Sequence, residues 1–215
     1  MTQGKFITFE GPEGSGKSTH ISLLRAFLEA RGVEVVVTRE PGGTLLGEAI
    51  RNLLQHDPSD PPVARAEVLL FLACRAQHVE RLIRPALEAG KWVLCDRFDD
   101  STMAYQGYAR GFDLELLGRV NAFAGNGLRP DLTVLLDVSP ETSRARLAAR
   151  QATPDRIERE QGAFHVKVRD GFLDLARKEP GRFAVVNTER VQEAVSEDVC
   201  AAVEGRFGGS FGGSF

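Results

Sequence analysis

Residues 6–20 read FITFEGPEGSGKSTH, and the order of residue types within them decides the fold. An apolar, strand-like run stops at a glycine-rich turn, and Lys17, Ser18 and Thr19 then open a helix. Gly11, Gly16, Lys17 and Ser18 satisfy G-x-x-x-x-G-K-[ST], with Pro12, Glu13, Gly14 and Ser15 filling the loop between them. Glycines let backbone N–H groups turn inward around a phosphate, and the helix N-terminus adds a favourable dipole. Lys17 is spaced to reach the β- and γ-phosphates of a nucleoside triphosphate, and the Ser18 hydroxyl to ligate Mg²⁺. The competing reading is an ordinary glycine-rich turn. Spacing and context together weigh against it.

Outward from this stretch the chain alternates strand and helix. Apolar runs at Phe6–Phe9, Val33–Thr38, Trp92–Cys95, Leu132–Val138 and Phe183–Val186 lack polar alternation, as strands buried on both faces of a parallel sheet should. Ile21, Leu24 and Leu28 share one face of the first helix, and Gly32 stands where a C-terminal cap belongs. The loop DPSDPP, residues 57–62, precedes a long helical stretch from Val63 to Ala89 with a bend expected at Pro85. Five strands with helical crossovers predict a three-layer α/β fold with a five-stranded parallel sheet. Residues 1–205 read as one domain, and residues 206–215, GRFGGSFGGSF from Gly205 onward, as a flexible tail.

Composition removes several classes. The 215 residues fit a single domain, 42% hydrophobic and 27% charged. A net charge of −3 gives no electrostatic case for nucleic acid or membrane. Cys74, Cys95 and Cys200 show no CxxC spacing, and His20, His56, His78 and His165 form no metal-ligand pattern. The sequence shows no signal peptide or membrane-spanning run, so a reduced, cytoplasmic protein is expected.

The fate of the γ-phosphate needs more than the loop. A GTPase switch would carry DxxG and NKxD, and neither occurs. WVLCDRF ends an apolar strand with Asp96, placed to hold Mg²⁺, and Arg97 follows; a strand-end salt bridge is the other reading. An arginine beside a metal-binding aspartate suits bridging donor and acceptor phosphates. Arg144, Arg146, Arg150, Arg156 and Arg159 flank QATPD, where Thr153-Pro154 splits the run into two arms. This is either a solvated helix face or a closing lid over residues 144–159, which would supply positive charge and exclude water. Loop, acid–arginine pair and basic lid together read as a kinase of a small phosphorylated acceptor.

Four further segments sharpen that reading. TREPGGT (38–44), AEVLLFLACRAQHV (66–79), DRFDDSTMAYQG (96–107) and RPDLTVLLDVSPE (129–141) resemble, in order and with the phosphate loop, bacterial thymidylate kinase of the P-loop nucleoside monophosphate kinase family. The resemblance runs from about Lys5 to about Val203. It implies transfer of the γ-phosphate of ATP to dTMP with Mg²⁺, giving dTDP for dTTP synthesis, in a protein that is generally a homodimer. ATP and dTMP are the implied small-molecule partners, with no nucleic acid or membrane. A kinase of another monophosphate, or a nucleotide-dependent switch, stays open as an alternative.

Matched position by position, the resemblance gives residues roles. It implies that Phe71 stacks on thymine and Arg75 hydrogen-bonds the base, at an i, i+4 spacing that puts both on one helix face. A charge among Leu72, Ala73 and Ala76 needs a partner in any case, whereas Phe71 alone would suit a core position. Ser101, Thr102 and Gln106 match residues lining base and sugar. Tyr105 matches the aromatic that crowds C2′; an aromatic packed in the core is its other reading. Arg51 and Arg97 match ligands of the acceptor phosphate. Glu13 matches a carboxylate aimed at the acceptor's 3′-hydroxyl, an odd residue for an anion-binding loop otherwise. Pro12, Glu13, Gly14 and Ser15 put no basic residue in the loop, which resembles the branch of the family whose lid arginines provide that charge; the resemblance implies that role for Arg150 and Arg156. Glu40 has no assignable role from sequence.

Overall fold

The computed structural model describes residues 4–55, 60–150, 156–157, 159–160 and 162–210. Five parallel strands form the sheet: β1 (Phe6–Glu10), β2 (Val35–Arg39), β3 (Trp92–Asp96), β4 (Leu132–Asp137) and β5 (Phe183–Asn187), in the order β2-β3-β1-β4-β5. The central strand β1 pairs with β3 on one side and β4 on the other, with Phe9 opposite both Asp96 and Val134. Such a sheet must be covered on both faces.

Alternation along β1 serves the two faces. Ile7 and Phe9 pack toward α1 (Lys17–Glu29) and α9 (Gln192–Phe207), with Leu24, Leu28, Val195 and Val199. Phe6 points into a second cluster with Val79, Ile83, Val93 and Phe98. Among the described residues the remaining α-helices are α2 (Leu45–Gln55), α3 (Ala64–His78), α4 (Arg84–Glu88), α5 (Asp99–Thr102), α6 (Leu114–Ala124), α7 (Pro140–Ala149) and α8 (Gly162–Lys178). This is the three-layer architecture expected from the sequence.

Particular expectations shift. The edge strands β2 and β5 leave residues such as Val37 and Val185 exposed, because each has a neighbour on one side only. Strand β2 starts at Val35; the residues before it complete the cap of α1, where Gly32 at φ +76° donates to Glu29 O (3.0 Å) and Val33 to Leu28 O (3.1 Å). The bend expected at Pro85 is a wide π turn, Val79–Ile83, between α3 and α4. Proline has no N–H to return to the preceding turn, and a wider turn absorbs the mismatch. Phe207, placed in the tail by composition, closes α9 and meets Trp92 edge-on at 5.2 Å. The tail beyond Ser210 and the Thr153-Pro154 break lie outside the described residues.

Candidate active site

The carboxyl ends of β1, β3 and β4 converge on the loop of residues 11–16. Gly11 leaves β1 at φ +134°, and a Cβ there would lie 2.3 Å from the Leu136 carbonyl oxygen, so only glycine fits against β4. Gly16, at φ +93°, turns the chain into α1. Gly14, Gly16, Lys17, Ser18 and Thr19 line a cavity of about 570 Å³. Gly11, Pro12 and Ser15 lie behind its wall as acceptors for Lys17, whose Nζ donates to Gly11 O (3.1 Å), Pro12 O (2.9 Å) and Ser15 Oγ (3.4 Å). Burial and the facing Arg97 push the Lys17 pKa down to about 8. Ser18 Oγ donates to Asp96 Oδ2 at 3.5 Å, so the two oxygens expected to hold a cation stand together.

Just past β3, Arg97 takes φ +71°, a left-handed conformation unusual for a side chain of that size. Its backbone N–H stays tied to Phe9 O at 2.9 Å. The bend turns the guanidinium into the cavity, donating to Gly11 O (3.0 Å), Ser101 Oγ (3.2 Å) and Glu13 Oε1 (2.9 Å). The same Glu13 oxygen accepts from Tyr105 Oη at 2.6 Å. Burial works against the Glu13 charge, but Arg97 and Lys17 outweigh it and hold the carboxyl below its usual range. The other oxygen, Oε2, is buried and makes no hydrogen bond among the described residues; His165 Nδ1 stands 3.9 Å away.

Below this cluster lies a residue that sequence reasoning missed. Glu10, fully buried at the end of β1, accepts from the Phe98 N–H (2.7 Å) and the Ser101 hydroxyl (2.6 Å). Burial, reinforced by Asp100, pushes its pKa up to about 8.

The far end of the cavity is built on α3 and on the segment after β3. Phe71 and Arg75 both line it, as do Thr102, Tyr105 and Gln106. Arg75 is 1% exposed and fully engaged: Nε reaches Glu40 Oε2 (2.9 Å), and Nη1 reaches Thr102 Oγ1 (3.1 Å) and Asn121 Oδ1 (2.6 Å). Glu40 thus gains its role as the buried counter-ion, its second oxygen facing His78 Nδ1 at 3.0 Å. Arg51 enters from α2, its Nη1 donating to Pro41 O at 2.9 Å. Tyr105 lies in a second π turn, Met103–Ala109, with its ring edge-on to Phe172.

Four arginines of the basic run, Arg144, Arg146, Arg150 and Arg156, separate. Arg144 is exposed beside Glu141. Arg146 donates to Gly14 O (3.2 Å) and Thr188 O (2.6 Å), bracing the phosphate loop. Arg150 ends α7 and lines the cavity. Arg156 does not line it; its guanidinium is taken by Leu54 O (3.1 Å) and by the buried Glu67. Arg146 was within reach of sequence reasoning, being in the same run; Glu10 and Glu40 carry no local signal. Among the described residues, no group of three His, Cys, Asp or Glu side chains could hold a metal ion. No described helix is long and apolar enough to cross a membrane.

A family model for thymidylate kinase matches residues 9–199, from β1 into α9. This chain belongs to the thymidylate kinase family. The thymidylate kinase of Carboxydothermus hydrogenoformans is 51% identical over 206 residues, 96% of this chain and 100% of that one. That of Deinococcus radiodurans is 50% identical over 206 residues, 96% and 99% of the two chains. A crystal structure of thymidylate kinase from Ehrlichia chaffeensis superposes with a TM-score of 0.75 at 37% identity, covering 94% of this chain and 99% of that one. Every site residue named above falls within the span matched to the thymidylate kinase family.

Proposed function

We propose that this protein transfers the γ-phosphate of ATP to dTMP, giving dTDP. The observation that carries the reading is a single cavity holding the phosphate loop at one end and Phe71 and Arg75 at the other, with Arg97 and Glu13 between. That order fits a donor triphosphate and a monophosphate acceptor laid phosphate to phosphate.

In this reading the loop amides and Lys17 hold the β- and γ-phosphates. Arg97 and Arg51 grip the acceptor phosphate, Arg97 exchanging part of its bonding to Glu13 and the loop for that anion. Glu13 and Tyr105 meet the sugar, and Phe71 stacks on the base beside Arg75, Thr102 and Gln106, with Ser101 holding Arg97 in place. Arg150, at the lid end of the cavity, adds positive charge over the transferring group; Arg156 braces the lid on α3 from Glu67. No general base is needed, because the acceptor phosphate is already a competent nucleophile in a loose transition state. The paired oxygens of Ser18 and Asp96 suit Mg²⁺, which prefers few protein ligands and hard oxygen donors, and that ion would neutralise charge on the bridging phosphates.

Three helices support a homodimer. Leu46 and Leu53 on α2, Leu69 on α3, and Leu116 and Phe123 on α6 are exposed, and α3 packs against both of the others. An apolar face of that breadth suits a second copy of the chain. We read the chain as one cytoplasmic domain with a lid over residues 144–159 and a short tail.

A coupled assay of ADP formation across the common nucleoside monophosphates tests the reading. Rapid turnover with dTMP, far above that with dCMP, dGMP or AMP, is expected. A different preferred acceptor, or slow hydrolysis indifferent to any acceptor, would replace it.

A further inference from the structure

Glu67 touches no wall of the cavity, yet it lies one turn before Phe71 on α3 and is completely buried. Three side chains converge on its carboxylate. Gln106 Nε2 donates to Oε1 at 2.8 Å, Arg110 Nε donates to the same oxygen at 2.9 Å, and Arg156 donates to Oε2. Two arginines on one buried acid keep it ionised. An ionised carboxylate can only accept, so the Gln106 amide has one permitted orientation, with its NH₂ toward Glu67 and its carbonyl turned away. Gln106 lines the cavity with Phe71 and Arg75, and its side chain makes no second hydrogen bond among the described residues.

We propose that Glu67 is a positioning residue for base selection: it locks Gln106 so that a carbonyl oxygen, not an NH₂ group, faces the ring nitrogen of the acceptor base. A carbonyl there accepts from the imide N–H of thymine or uracil. The corresponding ring nitrogen of cytosine is itself an acceptor, and two lone pairs would meet. The inference rests on the dTMP reading above and extends it from Gln106, which touches the base, to Glu67, which does not.

The test compares specificity constants for dTMP and 5-methyl-dCMP, a pair that shares methyl, sugar and phosphate and differs in the hydrogen-bonding edge. In Glu67→Gln the new NH₂ must meet one of the two arginines. Among the described residues Arg156 Nη2 has only this side chain, so its oxygen is kept and the NH₂ takes the position shared by Gln106 and Arg110, which frees the Gln106 amide to turn over. Arg110 keeps a partner in Glu160 at 3.0 Å. The dTMP preference is expected to fall about tenfold or more. The exchanged pair Glu67→Gln/Gln106→Glu restores a donor facing an acceptor and puts an acceptor back toward the base, so most of the preference should return. Melting temperatures separate this from damage to the fold, which would lower turnover on both nucleotides without moving their ratio. A folded Glu67→Gln enzyme with the wild-type ratio overturns the proposal. So does an exchanged pair no better than the single variant, or a failure of both to fold, since Glu67 is then structural. A wild-type enzyme that does not favour dTMP brings down the substrate reading itself, and that is seen before any variant is made.

Discussion

Glu10 ends the central strand with a carboxylate that water does not reach, on the floor of the site. Its ordinary value of 4.5 is raised to about 8 by burial and by Asp100, so the folded chain holds that proton more tightly than the unfolded one. Stability from the protonated form is therefore complete below pH 4.5 and is lost as the pH climbs toward about 8. Glu10→Gln, which keeps an acceptor for the Phe98 N–H and cannot ionise, should gain melting temperature on wild type by several degrees across that window, and little below it. Thermal scans of the ligand-free proteins at several pH values check this; a gap that stays constant with pH removes Glu10 from the titration. Lys17 is the other buried charged residue with a proposed role in the site. Its ammonium is held by three loop oxygens that also keep it at the mouth of the phosphate site. Lys17→Ala should lower turnover about 10³-fold with dTMP binding little altered, because the charge acts on the transferring phosphate. Turnover within tenfold of wild type would refute that role.

Among the elements, α3 and the π turn after α5 line the end of the cavity proposed for the acceptor, and each carries its proposed site residue in a structural setting. Arg75 is tied to Glu40, Thr102 and Asn121, so removing it strands Glu40 in the interior. Arg75→Ala should cost about 3–5 kcal/mol of stability as well as weakening dTMP more than ATP. Calorimetry on folded protein at low temperature, with each nucleotide titrated separately, distinguishes the two effects; equal weakening of both ligands means the helix has simply failed. Tyr105 likewise divides into a hydroxyl on Glu13 and a ring against Phe164 and Phe172. Tyr105→Phe should keep the preference for deoxyribose over ribose, whereas Tyr105→Ala should narrow it about 5- to 150-fold, the cost of a clash or an unpaired buried hydroxyl. If the alanine variant keeps the wild-type ratio, the ring is core packing alone. This element scale is also where the sequence was most and least legible. Loop, strand ends and the Phe71–Arg75 spacing are local patterns, readable within one turn or one motif. The partners of Arg75 come from 27, 35 and 46 residues away, and nothing local marks them. The π turns escaped for a related reason: periodicity shows that a segment is helical but not that one turn has gained a residue.

For the molecule as a whole, the parallel sheet leaves one layer of helices with work undone. The side facing β1 is filled by Phe6, Val79, Ile83 and Phe98, yet the outward stripes of α2, α3 and α6 remain apolar. Phe123 is 88% exposed and Leu69 66%, values at which a large apolar side chain gains almost nothing from the monomer's own fold. Burying such a side chain fully is worth about 1.5–3 kcal/mol. A two-fold interface uses each residue twice, so one substitution removes two such contributions and also brings two like charges into the seam if the new residue is acidic. If the proposed homodimer uses this face, Leu69→Glu and Phe123→Glu should each raise its dissociation constant by about 10³-fold or more, while the folded monomer keeps its melting temperature to within a few degrees, because neither side chain is part of its core. Sedimentation equilibrium over a hundredfold range of concentration reads the first effect and thermal scans the second. Helix α3 carries the exposed Leu69 as well as Phe71 and Arg75, which line the cavity, so under the proposed function a dissociated variant should also show a weakened dTMP affinity where the phosphate loop, on β1 and α1, keeps its affinity for ATP. A wild-type chain that sediments as a monomer at micromolar concentration, or acidic variants that remain dimeric, would leave this apolar face without a second copy of the chain as its occupant.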